Sequence, residues 1–222
     1  MTTIRSRLAV LALLAIPLAA CGTASRAPAQ QAGVPATPMM TPAQRARADS
    51  GRPPYTEADV RFMSGMIGHH AQAIVMAGWA PSHGASASVQ AFCERIVVGQ
   101  RDEIAVMQRW LRDRRETVPD PAGTLQMMMA PGMASMMMPG MLTADQMAQL
   151  DRSRGADFDR RFLTDMIQHH TGAISMVEQL FSARGAAQDD DVFKIASDIN
   201  VDQTTEIDRM NVMLNAMPAG GR

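Results

Sequence analysis

A stretch of nineteen residues occurs twice in this chain. Residues 59–77 read DVRFMSGMIGHHAQAIVMA and residues 159–177 read DRRFLTDMIQHHTGAISMV, an offset of 100 with no gap. Asp59/Asp159, Arg61/Arg161, Phe62/Phe162, Met66/Met166, Ile67/Ile167, His69/His169, His70/His170, Ala73/Ala173, Ile74/Ile174 and Met76/Met176 coincide. Phe62, Met66, His69, Ala73 and Met76 recur at steps of four, three, four and three, which is one stripe of an α-helix. The fold must therefore accommodate two copies of one amphipathic helix, each carrying adjacent histidines.

The repeat continues past the histidines. A second helix is predicted from Ser88 to Arg114, with Phe92, Ile96, Val97, Ile104, Met107 and Leu111 on its apolar face. Its counterpart runs from Asp190 to Ala216 at a new offset of 103, where Ile96/Ile199, Gln100/Gln203, Glu103/Glu206, Ile104/Ile207, Met107/Met210 and Leu111/Leu214 match. The duplicated unit is thus a helical hairpin, and the second hairpin's loop is expected to be three residues longer. Two amphipathic hairpins bury their stripes best as a four-helix bundle. An aromatic content of 4% and the lack of alternating strand-like runs fit an all-α fold.

Local signals set the boundaries. Thr56 is a suitable N-cap, with Glu57 and Asp59 in the first turn, where the helix dipole favours anions. Pro81 and Gly84 end this helix, and Pro119 and Pro121 stop the next. Residues 143–154 carry a short helical pattern, and the bundle domain spans 55–217. Between the halves, residues 125–142 hold Met127, Met128, Met129, Met133, Met136, Met137, Met138 and Met141. Gly and Pro punctuate this stretch, which reads as a loop crossover rather than a helix.

The beginning of the chain reads as a targeting segment. Arg5 and Arg7 precede an apolar run from Leu8 to Ala20, and small residues lead into Cys21. Residues 1–20 are expected to be a secretory signal peptide, with Cys21, in a segment resembling a bacterial lipobox, as the lipidation site. Residues 21–54, rich in Ala, Pro, Gln, Gly and Thr, read as a flexible tether. The expected location is the periplasm or cell envelope, tethered to the membrane through the lipid. Cys93 then lacks an intramolecular partner and reads as a small buried hydrophobe. A net charge of −1 with interspersed signs offers no nucleic-acid surface, and homo-oligomerisation is left open.

Four of the five histidines lie in the two pairs. Thioether is a soft ligand that selects Cu(I), and imidazole serves both copper oxidation states, whereas zinc calls for Cys or carboxylate beside the histidine. A methionine stripe is, on its own, more often core than ligand. Yet both halves keep both flanking methionines where Leu or Ile would pack as well, and partly buried imidazoles need polar partners. Adjacent histidines point about 100° apart, so each pair should straddle a helix seam, one ring inward and one at the rim. Met66 is in reach of both His69 and His70, and Met166 of both His169 and His170. The methionine-rich crossover offers thioethers for capture of Cu(I). Other chemistries lack their motifs: there is no Glu-x-x-His, Cys-x-x-Cys-His or His-Glu-x-x-His, and no nucleophile–base arrangement. His83, in the Pro81–Gly84 turn, is expected to be solvated.

These residues resemble the domain-of-unknown-function 305 family. Its pattern Phe-x-x-x-Met-Ile-x-His-His-x-x-Ala-Ile-x-Met is matched by Phe62 to Met76 and by Phe162 to Met176. The following Gln-x-x-Glu-Ile-x-x-Met is matched by Gln100, Glu103, Ile104 and Met107, and by Gln203, Glu206, Ile207 and Met210. Met138-Pro139-Gly140-Met141 matches the linker, and the likeness covers about residues 55–217. The resemblance implies a ferritin-like helical bundle, an extracytoplasmic location and an association with copper binding and resistance. It implies metal ligands at Met66, His69, His70, Met76, Met166, His169, His170 and Met176. The chain departs from the pattern in a longer methionine loop and in Asp165, which stands opposite Gly65. Copper sequestration or transfer, without catalysis, is the expected function. A metal-dependent redox enzyme on the same bundle and a metal-free envelope interaction module are the alternatives.

Overall fold

Thr56 closes the start of the first helix as expected. Its hydroxyl accepts from the Asp59 amide, and the Asp59 carboxylate accepts from the Thr56 amide, a capping box. The computed structural model describes residues 51, 54–130, 132–133 and 137–218. The expected signal peptide and lipidation site Cys21, nearly all of the expected tether, and Met136 lie outside the described residues. Six helices and no strand occur among the described residues: α1 (Glu57–Gly78), α2 (Ala87–Asp113), α3 (Pro121–Met128), α4 (Ala144–Arg152), α5 (Gly155–Ser182) and α6 (Asp190–Ala216). None is long and apolar enough to cross a membrane.

The long helices pair as two hairpins, α1 with α2 and α5 with α6, and the hairpins meet chiefly through α1 and α5. Two sequence expectations need correction. The extra residues of the second hairpin do not lengthen its loop: segments 79–86 and 183–189 are of similar length. They extend α5 by about one turn beyond the point where α1 stops, since α1 ends at Gly78 and α5 at Ser182. The methionine-rich stretch is also not all loop. Pro121 starts α3 rather than merely ending α2, because Asp120 caps the Gly123 amide and a proline in the first turn has no N–H to leave unpaired. Leu125 to Met128 are therefore helical.

The duplicated aspartates join the halves reciprocally. Asp59 Oδ1 accepts the Ala187 amide of the second hairpin's turn at 2.7 Å. Asp159, its repeat partner, accepts the Ser86 amide of the first hairpin's turn at 3.1 and 3.2 Å. At the same end as Asp59, Trp110 Nε1 donates to Asp189 Oδ1 at 3.1 Å, and buried Arg114 pairs with Asp189 while lying 4.2 Å over the Trp110 ring. Asp189 also caps α6 through the Asp191 and Val192 amides.

The crossover runs over the α1–α5 seam. Gln72, fully buried, clamps it with both ends of its amide: Nε2 donates to the Leu142 carbonyl at 2.9 Å and Oε1 accepts the Leu142 amide at 2.7 Å. At the equivalent place on α5 stands Gly172. A Cβ there would lie 2.0 Å from the Pro139 carbonyl oxygen and 2.4 Å from Gly140 Cα, so only glycine admits the crossing backbone. Gly140 itself has φ +76, the left-handed region that glycine tolerates.

Candidate metal centre

All four paired histidines are fully buried, at 0% exposure. This corrects the expectation of a ring at the rim. The inner rings, His69 and His169, face one another with centroids 3.9 Å apart. The outer rings turn instead toward the partner helices of their own hairpins. His70 Nε2 lies 2.7 Å from Glu103 Oε2 on α2, and His170 Nε2 lies 2.6 Å from Glu206 Oε2 on α6. Within each pair the ring centroids are 6.4 and 6.1 Å apart.

The hydrogen bonds decide the tautomers. His69 Nε2 lies 3.0 Å from the Pro139 carbonyl, and His169 Nε2 lies 3.1 Å from the His69 carbonyl. A carbonyl only accepts, so both rings carry the proton on Nε2. A carboxylate likewise favours Nε2–H on His70 and His170. Each ring is then left with a bare lone pair at Nδ1, and all four Nδ1 atoms are buried with no hydrogen-bond partner among the described residues. Burial disfavours the imidazolium. The His69 pKa is pushed down to about 3, by desolvation first and then by neighbouring His70, against the raising effect of the Pro139 carbonyl. His169 is likewise held well below its ordinary value, by burial and then by His69. Two inner imidazoles are thus neutral donors at any physiological pH.

The methionines divide between two apolar clusters. Met66 and Met176 belong to one, with Met107; Met76 and Met166 belong to the other, with Met210. Each cluster therefore draws one ligand candidate from each half. Sequence reasoning had joined Met66 to its own histidines but not to Met176. The crossover contributes Met138, whose sulfur lies 3.0 Å from the position a Cβ on Gly65 would take, with Met176 Cε 3.7 Å from that point. Met128 and Met141 are buried, while Met127 and Met133 are exposed.

Buried lone pairs on imidazole, with thioethers on the same helices, are a donor set that fits a soft ion. Among the described residues, no group of three or more His, Cys, Asp or Glu side chains is gathered as a ready-made cage. Thioethers and a re-aimed ring would have to complete the coordination. Gln100 Oε1 and both amide atoms of Gln203 are also buried and unpartnered, one turn from Glu103 and Glu206. The sequence signal for them was the shared Gln-x-x-Glu spacing.

Three further groups differ from expectation or complete it. His83 is buried rather than solvated. Its ring stacks on Trp79 and abuts Phe158, its Nε2 donates to the Asp151 carbonyl at 2.9 Å, and its Nδ1 faces the Ser82 hydroxyl at 2.9 Å. With the Asp151 carboxylate 3.1 Å from Nε2, a Ser–His–Asp chain does exist, although none was legible in the sequence. It clasps the α1–α2 turn to the α4–α5 junction, where Gly155 N also donates to the His83 carbonyl. Cys93 is buried and free, and burial pushes its thiol up to about 12, so it behaves as an inert apolar group. Asp165 is buried beside Met166, and desolvation raises its carboxyl above the usual range against the lowering effect of Arg161.

The chain belongs to the family described as Domain of unknown function (DUF305), which matches residues 59–214. A DUF305 fragment from Deinococcus radiodurans is 29% identical, with a TM-score of 0.61, over 74% of this chain and 100% of that one. CopM in its Cu(II)-bound form is 26% identical, with a TM-score of 0.56, over 71% of this chain and 95% of CopM. A DUF305 protein from Streptomyces coelicolor, described as a candidate secreted protein, is 22% identical, with a TM-score of 0.60, over 74% of this chain and 98% of that one. No curated protein matches the chain.

Proposed function

We propose that this protein is an extracytoplasmic copper-binding protein that sequesters the ion or passes it on, using the duplicated His-His/Met sites of a ferritin-like four-helix bundle. Met66, His69, His70, Met76, Met166, His169, His170 and Met176 are its ligand candidates. The observation that carries the reading is the set of four buried imidazoles, each with its Nε2 engaged and its Nδ1 unpartnered. An apolar interior does not keep four bare lone pairs without a role, since unpaired buried polar atoms cost about 1–3 kcal/mol each. The likeness to CopM, seen with Cu(II) bound, supports copper as the ion. Glu103 and Glu206 orient the outer rings, and the copper ion, once bound, would take electron density from imidazole and thioether without needing a compensating anionic cage. Cys21 as a lipid anchor agrees with a protein that meets copper at the cell envelope.

Copper titration of the mature chain tests this. Wild type should bind Cu(I) tightly, with a competing chelator setting the affinity, and melt at a higher temperature when loaded. The variant with His69, His70, His169 and His170 all changed to Ala should lose that binding. Unchanged stoichiometry and affinity in this variant would refute the site.

A further inference from the structure

Away from the histidines, a cavity of about 570 Å³ opens where α4 meets α5, lined by Arg152, Arg160, Arg161, Asp157 and Asp165 among others. Arg152 and Arg161 make no hydrogen bond among the described residues, Arg161 acting on Asp165 through its charge alone, and Arg160 spends only one nitrogen, on the Pro218 carbonyl at 2.6 Å. Asp165 in its wall is only 7% exposed, and its Oδ2 has no partner. The cavity also takes in the first turn of α5, through Asp157.

The repeat supplies an internal control. At the start of α1 a capping box consumes first-turn amides, and Asp59 sits in that turn. At the start of α5 the N-cap is Arg154, with no side-chain cap bond, and Asp159 is drawn away to the Ser86 amide. Position 65 is glycine in the first copy and filled by Met138 and Met176, whereas position 165 is an acid bordering open space. The second copy has therefore gathered three guanidinium groups and two carboxyls, Asp157 and buried Asp165, in one cavity beside a helix start that lacks a side-chain cap and whose Gly155 amide goes to the His83 carbonyl. Guanidinium groups favour an oxyanion. The buried carboxyl demands that the same ligand also donate a hydrogen bond, and rotation about its terminal torsion can turn either oxygen toward the cavity.

We propose that this cavity binds a protonated phosphate group, with Arg152, Arg160 and Arg161 on its oxygens and Asp165 accepting from its P–OH. Sulfate has the same size and shape but no proton at neutral pH. A site that needs a ligand's O–H rejects an isostere lacking it, because the acceptor is left unpaired beside a negative charge.

Calorimetric titration of the full metal-free chain with inorganic phosphate and with sulfate reads this directly. Phosphate should bind at least about tenfold more tightly than sulfate. Arg161→Gln should weaken phosphate, and Asp165→Asn, whose amide can donate to either anion, should bring the two affinities together. The wild-type phosphate-to-sulfate ratio stands even if a variant fails to fold. Co-sedimentation with phosphatidylcholine vesicles containing phosphatidic acid separates a headgroup phosphate from a free one. Binding only to those vesicles makes the ligand a lipid headgroup; binding of inorganic phosphate makes it a free phosphate. Equal affinity for phosphate and sulfate in wild type, or no binding of either phosphate source, overturns the proposal.

Discussion

Each imidazole of the paired histidines has a fixed tautomer, and the tautomer is what leaves its Nδ1 available. The carboxylates of Glu103 and Glu206 act on the outer rings from the neighbouring helices. Replacing both by Gln weakens that orientation while leaving the rings in place. Copper affinity should fall by about 10–100-fold, as measured by chelator competition, without loss of stoichiometry. The inner rings make a second prediction, for the metal-free protein. His69 and His169 have folded pKa values below the ordinary 6.5, so the unfolded chain binds protons that the folded chain refuses. Their contribution is fully present above about pH 6.5 and is lost as pH falls toward the His69 value of about 3. Denaturant unfolding at a series of pH values should show stability dropping through that window, by up to about 1.4 kcal/mol per pH unit for each group. Changing both inner histidines to Gln should flatten the slope.

Among the elements, the four long helices were legible because their apolar stripes repeat, and α6 begins and ends where its pattern does. The sequence failed where the deciding partner is remote. His83 looked like a turn residue because Phe158, which covers it, is far along the chain. Asp59 read as a first-turn acid because its second partner, the Ala187 amide, belongs to the other hairpin. Pro121 reads as a stop because a first-turn proline and a terminating proline are alike in sequence, and only the cap at Asp120 tells them apart. The eight ligand candidates follow from the repeat, but their sorting into mixed methionine clusters, and the arrival of Met138, depend on how the hairpins cross. The crossover's tight passage is testable at one position. Gly172→Ala puts a methyl carbon against the Pro139 carbonyl and should cost about 1–3 kcal/mol in denaturant unfolding. It should also displace the carbonyl that fixes the His69 tautomer, so copper affinity should fall with stability.

At the scale of the whole molecule, the hairpins are held by a few specific polar links as well as by apolar packing. The buried Arg114–Asp189 pair joins the end of α2 to the start of α6. Arg114→Ala takes the counter-charge from buried Asp189, leaving it only the Trp110 and α6 N–H donors, and removes the stack on Trp110. Chemical denaturation should show a loss of about 3–5 kcal/mol.

The reciprocal aspartate contacts and facing histidines are what two identical hairpins would make about a twofold axis. A chain that joins such halves must cross that axis once, and only one segment can occupy the crossing. Equivalent positions on either side then meet different neighbours, so identity there is not sustainable. Gln72 grips the passing backbone and Gly172 gives way to it. The divergence at this pair is the mark left by making one polypeptide from two equal parts. A half-length chain that pairs with its own copy about a true axis has no such connection, and the two positions would be free to carry the same residue.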